Sequence, residues 1–249
     1  MNKLNLLLLC FVSLLNSCLY ASEYEQMVTS QYQQAIDDAM IASSDKIFPL
    51  VEITEKSLMM TWNKAKDKVL MISLLDDVSD YRDKSNFIVK DNGSLWLFAG
   101  KEYSCWFAHR KEEFDSCDIR QQQLFGLPND YDAKYYVAFW VKPEDLVRPA
   151  YEPDVTKQLT VESLDGSRLG ESGMWFIGSM LSMHKEKNFP WTRLGYTYDW
   201  SSKSINHKGL SEFIAKKDAD LEIAWIKTSE EYLKSINFWQ YLSGCSCKK

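Results

Sequence analysis

KYYVAFWVK, residues 134–142, is the stretch on which the fold turns. Tyr135, Val137, Phe139 and Val141 alternate with Tyr136, Ala138 and Trp140, so both faces of an extended chain are apolar. Successive side chains of a strand point to opposite sides. A strand apolar on both sides needs cover on both, which predicts a central strand. PEDLVRPAYEP (143–153) follows, and its three prolines deny long regular structure.

Upstream, KVLMISLL (68–75) reads as a strand, and IFPLVEI (47–53) and SLMMTW (57–62) as two more. The polar NKAKDK (63–68) reads as a hairpin turn. NFIVK and SLWLFA flank DNG (91–93), and Asn-Gly favours the positive φ of a tight hairpin. A helical segment carrying Cys105 and Cys117 comes next, stopped by Gly126 and Pro128. Downstream, GMWFIGSMLSMHKEK (173–187) predicts a buried helix. GLSEFIA (209–215) and DLEIAWIK (220–227) predict a hairpin around KKDA (216–219). TSEEYLKSINFWQYL (228–242) predicts a last helix, with Thr228 or Ser229 as N-cap and Glu230 and Glu231 in its first turn. Near the start, Tyr24, Met27, Val28, Tyr32, Ala35 and Ile36 recur at helical spacing, which predicts an N-terminal helix within 22–45. These elements predict one α+β domain over 22–249: a mostly antiparallel sheet packed with several helices, ending in a short cysteine-containing tail, 243–249.

The chain has 249 residues, of which 45% are hydrophobic and 26% charged, which excludes a disordered or low-complexity protein. The net charge is −6 and no long basic run occurs, which argues against a nucleic-acid partner. Aromatic residues make up 14%, enough for a generous core or for a surface that stacks on sugars or bases.

MNKLNLLLLCFVSLLNSCLYA (1–21) has a cationic start, an apolar run from Leu4 to Leu15 and a small-residue end at Ala21. This is the layout of a secretory signal peptide. The run is shorter than the 20 or so residues of a comfortable membrane span, and the rest of the chain has no longer one. LNSC (15–18) offers a second processing route, with Cys18 as a lipid anchor. Export to the periplasm or beyond makes disulfides the expected fate of Cys105, Cys117, Cys245 and Cys247, with three pairings open. No metal site is expected, because His109, His184 and His207 are scattered; no cofactor is expected either, because phosphate-cradling glycine motifs are missing.

FPWTRLGYTYDW (189–200) and GLSEF (209–213) carry the candidate chemistry. An extended chain puts Leu210, Glu212 and Ile214 on one face, leaving a carboxylate between apolar neighbours. Desolvation there raises its pKa and invites an arginine, Arg148 or Arg193. Trp191, Tyr196, Tyr198 and Trp200 could line a pocket around that pair, or simply cap the sheet. Asp199 beside stacked aromatics suits sugar binding, with rings on the apolar sugar face and the carboxylate on hydroxyls.

RQQQLFGLPNDY (120–131), VAFWVKPEDLVRPAYEP (137–153), FPWTRLGYTYDW and GLSEF together resemble a family of exported bacterial proteins without an assigned activity. The resemblance spans Ile47 to Glu231. It implies a secreted protein and supplies no catalytic residues. A second similarity is to ADP-ribosyltransferases, which hold NAD between an early arginine or histidine and a late glutamate. It implies that Arg148 grips the NAD phosphates, Tyr198 stacks on nicotinamide and Glu212 stabilises an oxocarbenium-like transition state. The Ser-Thr-Ser stretch of those enzymes is missing, and Leu210 stands where they carry a second acid. The sequence thus predicts an exported binding or interaction protein of the cell envelope, with a glycan or protein partner. Its alternative is an exported enzyme acting on NAD or a related nucleotide.

Overall fold

The protein is described from a computed structural model covering residues 24–110, 117–165, 173–186 and 189–243. The leader, the Cys18 anchor position and the tail from 244 on lie outside the described residues. So do the side chains of 117, 118, 183–185 and 237–243.

A seven-stranded sheet is the frame. Its strands are β1 (Val69–Leu75), β2 (Asn86–Ile88), β3 (Trp96–Ala99), β4 (Tyr135–Val141), β5 (Leu146–Val147), β8 (Phe213–Ala215) and β9 (Asp220–Thr228). Their order is β2-β9-β4-β1-β3-β8-β5, and every pair is antiparallel. A separate two-stranded ribbon joins β6 (Tyr196–Tyr198) to β7 (Lys208–Ser211). The helices are α1 (24–39), α2 (Gly100–Arg110), α3 (Cys117–Phe125), α4 (Gly173–Glu186) and α5 (Ser229–Ser243). The result is the α+β domain that the sequence predicts.

β4 is internal, paired to β1 along its whole length and to β9 through a bulge at Ala138/Phe139. Its two apolar faces serve two different cores. Val137, Phe139 and Val141 join Val69, Met71, Leu97 and Phe213 on one side. Tyr136 and Ala138 join Ile72 and Phe98 on the other, under Tyr103 and Phe107 of α2, Leu124 of α3 and Tyr232 of α5. Helices thus cover one face, while the other is closed by loops carrying Val51, Met60, Val78 and Val155. Two smaller clusters sit beside the sheet. Phe176 of α4 packs on Leu50, Tyr151 and Trp191, and Val28, Ala35 and Ala39 of α1 pack on Tyr198 and Trp200.

Local signals set the ends of elements as expected. α5 starts with a reciprocal cap: the Glu231 N–H donates to Thr228 Oγ1 (3.2 Å), and the Thr228 N–H donates to Glu231 Oε2 (2.9 Å). α3 stops at Gly126, whose φ of +66° lies in the left-handed region that favours glycine. The 63–68 turn closes with the Asn63 N–H donating to the Lys68 carbonyl (3.0 Å), and one bridge, Trp62 to Val69, extends it.

Three expectations fail. Residues 47–53 and 57–61 form no strand; they run beside the sheet, tied by single bonds such as Ile53 N–H to the Val155 carbonyl (2.8 Å). The 91–93 and 216–219 turns both form, yet neither makes a hairpin. β2 leaves the first to pair with β9, while β3 pairs with β1 and β8. β8 likewise enters the sheet between β3 and β5, and β9 lies beside β2 and β4. Helix α4 is also less buried than its composition suggests. Phe176 is inside, but Met174 is 81% and Leu181 63% exposed, because α4 packs through one side only.

Candidate functional site

The sheet comes apart at one place. β1 and β3 pair through Met71–Ala99 and Ile72–Phe98, and the ladder goes no further. Beyond it, Ser73–Leu75 stay with β4 while Trp96 and Leu97 turn to β8. A cavity of about 330 Å³ opens in the split. Its walls come from the ends of β1 and β3, from Phe125–Leu127 after α3, from Phe189–Trp191 and from β6. The lining is chiefly apolar and aromatic, and it lies at the small end of the volume range for ligand sites.

Glu212 is the one carboxyl lining this cavity among the described residues. It stands between β7 and β8, where the chain leaves the two-stranded ribbon and enters the main sheet. Neighbouring bonds fix the position. The Glu212 N–H donates to the Gly195 carbonyl (2.9 Å). The Ser211 N–H and hydroxyl both donate to the Glu102 carboxylate (2.9 and 3.0 Å), and Ser211 Oγ accepts the Val51 N–H (2.9 Å). Glu212 Oε2 is itself buried with no hydrogen-bond partner among the described residues. Burial raises its pKa from 4.5 to about 8, against a smaller pull down from Arg148. At neutral pH the carboxyl therefore keeps its proton. An unpaired buried polar group of this kind costs stability, and Arg148 Nε and Nη1 share that state among the described residues.

Neither candidate arginine reaches the cavity. Arg148 is 1% exposed and spends Nη2 on backbone carbonyls, chiefly that of Val51 (2.8 Å), with the guanidinium 4.7 Å over the Phe213 ring. Burial lowers its pKa to about 10, opposed by the carboxylates of Glu102, Asp154 and Glu212. Arg148 thus touches Glu212 only through its field. Arg193 has a positive φ of 56° and donates to the Ala39 carbonyl (2.7 Å), capping the end of α1, with Tyr151 beneath its guanidinium. Its pKa is lowered by burial. Both are structural cations. The phosphate grip implied for Arg148 has no surface from which to act.

The rings of 189–200 are packed rather than displayed. Trp191, Tyr196, Tyr198 and Trp200 are all buried, Trp191 the most exposed of them at 7%. Their polar ends are used internally: Trp191 Nε1 donates to the Pro149 carbonyl, Tyr196 Oη to that of Lys46, Tyr198 Oη to Asp38 Oδ2 and Trp200 Nε1 to the Leu127 carbonyl. Of the four, Trp191 and Tyr198 also line the Glu212 cavity. Asp199 is not placed to meet a sugar. It is 1% exposed and forms a two-pronged pair with Arg120, both bonds 2.8 Å, and its Oδ1 also accepts the Ser201 N–H. Arg120 in turn lies 4.6 Å over the Trp106 ring.

A second cavity of about 250 Å³ lies between the end of α1 and the ribbon, lined by Asp38, Lys46, Tyr196, Tyr198 and His207 among others. Its polar groups are engaged with one another: Lys46 pairs with Asp38 (2.8 Å), and His207 stacks on Tyr198 (4.9 Å). Cys105 is buried in α2, but the side chains of its three possible partners lie outside the described residues, and the disulfide question with them. Sequence reasoning named Glu212, Trp191 and Tyr198 and did not name the other walls. Ser73–Leu75, Trp96–Phe98 and Phe125–Leu127 read as ordinary core, and only the early end of one ladder makes them a lining. Among the described residues no group of three or more metal-ligating side chains occurs, and no helix is long and apolar enough to cross a membrane. Compared with protein families, curated proteins and solved structures, the chain finds no match.

Proposed function

We propose that this is an exported binding protein of the cell envelope, and that its ligand site is the cavity in the split sheet. The leader-like residues 1–21 support export. The site rests on one observation: Glu212 lines a chiefly apolar space of about 330 Å³ while its Oε2 is buried with no hydrogen-bond partner among the described residues. A ligand that fills the space and meets that oxygen offsets the desolvation the protein carries when empty. The walls suit a small apolar ligand, or the apolar end of a larger envelope component. No second carboxylate, histidine or cation lines the cavity among the described residues, so the arrangement favours binding over acid–base chemistry.

The test is a thermal-shift screen of the mature chain with small aromatic and aliphatic fragments, cell-wall fragments and NAD. Ligand at 100 times its dissociation constant adds about 2.7 kcal/mol. The expected result is a shift with fragments that is lost when the space is filled by Leu74→Trp. A shift with NAD, abolished by Glu212→Gln, would instead support the nucleotide enzyme. No shift with any set would leave a structural envelope role.

A further inference from the structure

Resting on that reading of the cavity, we infer that its ligand is an organic cation, an ammonium group carried on a small apolar body. Three observations converge on it. The first is Glu212, which lines the cavity and whose Oε2 receives no donor from the described residues. The second is the lining itself, which holds no lysine, arginine or histidine among the described residues. Arg148, the cation nearest in effect, is not a lining residue, and its Nη2 donates to the carbonyls of Val51, Val155 and Lys157. The third is the rings. Trp96 and Trp191 cross at 87° with centroids 6.0 Å apart, and Phe98 and Phe125 tilt at 58° with centroids 4.9 Å apart. Crossed rings offer negative faces in more than one direction, and ring faces with a carboxyl are the chemistry that holds ammonium groups.

The proton balance follows. The empty site holds Glu212 as a neutral acid below about pH 8. An ammonium ligand pairs with the carboxylate, so binding expels one proton to solvent. A neutral ligand leaves that proton in place. The groups around Glu212 do not blur this signal: Glu102 accepts the Ser211 N–H and hydroxyl and pairs with Lys208 (3.6 Å). Arg148 stays cationic throughout, and the phenols of Tyr131, Tyr196 and Tyr198 are all raised above their ordinary value by burial. His207 lines the other cavity, behind Tyr198.

The experiment is calorimetric titration of the mature chain with benzylammonium and with its neutral counterpart, benzyl alcohol, from pH 6 to 9. The expected benzylammonium affinity rises about tenfold per pH unit up to pH 8 and then levels, with one proton released per ligand below pH 8. Benzyl alcohol binds more weakly and without pH dependence, and Glu212→Gln flattens the benzylammonium profile. The native pH profile stands even if that variant folds poorly. Equal binding of the two probes, or a flat benzylammonium profile, overturns the cation assignment and leaves the cavity as a ligand site. Failure of both probes to bind overturns the cavity reading as well.

Discussion

Replacing Glu212 by glutamine tests the physical basis of the site without any ligand. The native carboxyl titrates near 8 and an ordinary one near 4.5. Between those values the folded state holds a proton that the unfolded chain has released. The slope of stability with pH follows the protons bound unfolded minus those bound folded, here approaching minus one. Stability contributed by the neutral acid is therefore fully present below pH 4.5 and is lost as pH rises towards 8. At about 1.4 kcal/mol per pH unit the loss sums to about 5 kcal/mol. That figure is a ceiling, since water entering the cavity would reduce it. It is still comparable with the whole stability of many domains. The assay is urea unfolding of the native protein and Glu212→Gln at half-unit steps from pH 4 to 9. Other titrating groups cancel in the difference between the two. The expected difference curve falls from pH 4.5 to 8 and is flat above, with the glutamine variant gaining relative stability throughout. Glutamine also leaves a polar group in the cavity, which offsets the curve without tilting it. A difference curve flat from pH 4 to 9 would refute a desolvated Glu212, and the argument for the site would go with it.

Two other substitutions test the packing around the site. Asp199→Asn removes the counter-charge of Arg120, which stays buried beside the Trp106 ring; a loss of about 3–5 kcal/mol is expected by urea unfolding. A loss below about 1 kcal/mol would mean that water reaches the pair. Gly209→Ala puts a methyl group onto Thr197 Oγ1 and 2.6 Å from the Thr197 carbonyl oxygen, where the backbone of the ribbon cannot yield. It should cost about 3 kcal/mol or more, and wild-type stability would show that β6 and β7 are not this close.

The parts of this fold that the sequence determined are the local ones. Both apolar faces of 135–141 demand cover on both sides, whatever the neighbours are. Thr228 and Glu231 cap α5 because they are three residues apart. Gly126 ends α3, and Asn63–Lys68 turns, through bonds made within a few residues. Glu212 drew notice for a local reason too, as an acid between apolar neighbours. Tertiary structure decided which strands meet. The 91–93 and 216–219 turns form as their residues dictate, but a turn fixes only a reversal of direction. The strands beyond each turn pair where the two cores are best covered, so β3 and β8 become neighbours though more than a hundred residues separate them. The same distance effect gave Asp199 to Arg120 rather than to a ligand, and Arg148 to backbone carbonyls rather than to Glu212. The cavity follows from it as well. It exists because the β1–β3 ladder ends after Ile72 and Phe98, and the competition between β4 and β8 for those strands is settled by packing over the whole sheet, which no short stretch of sequence contains.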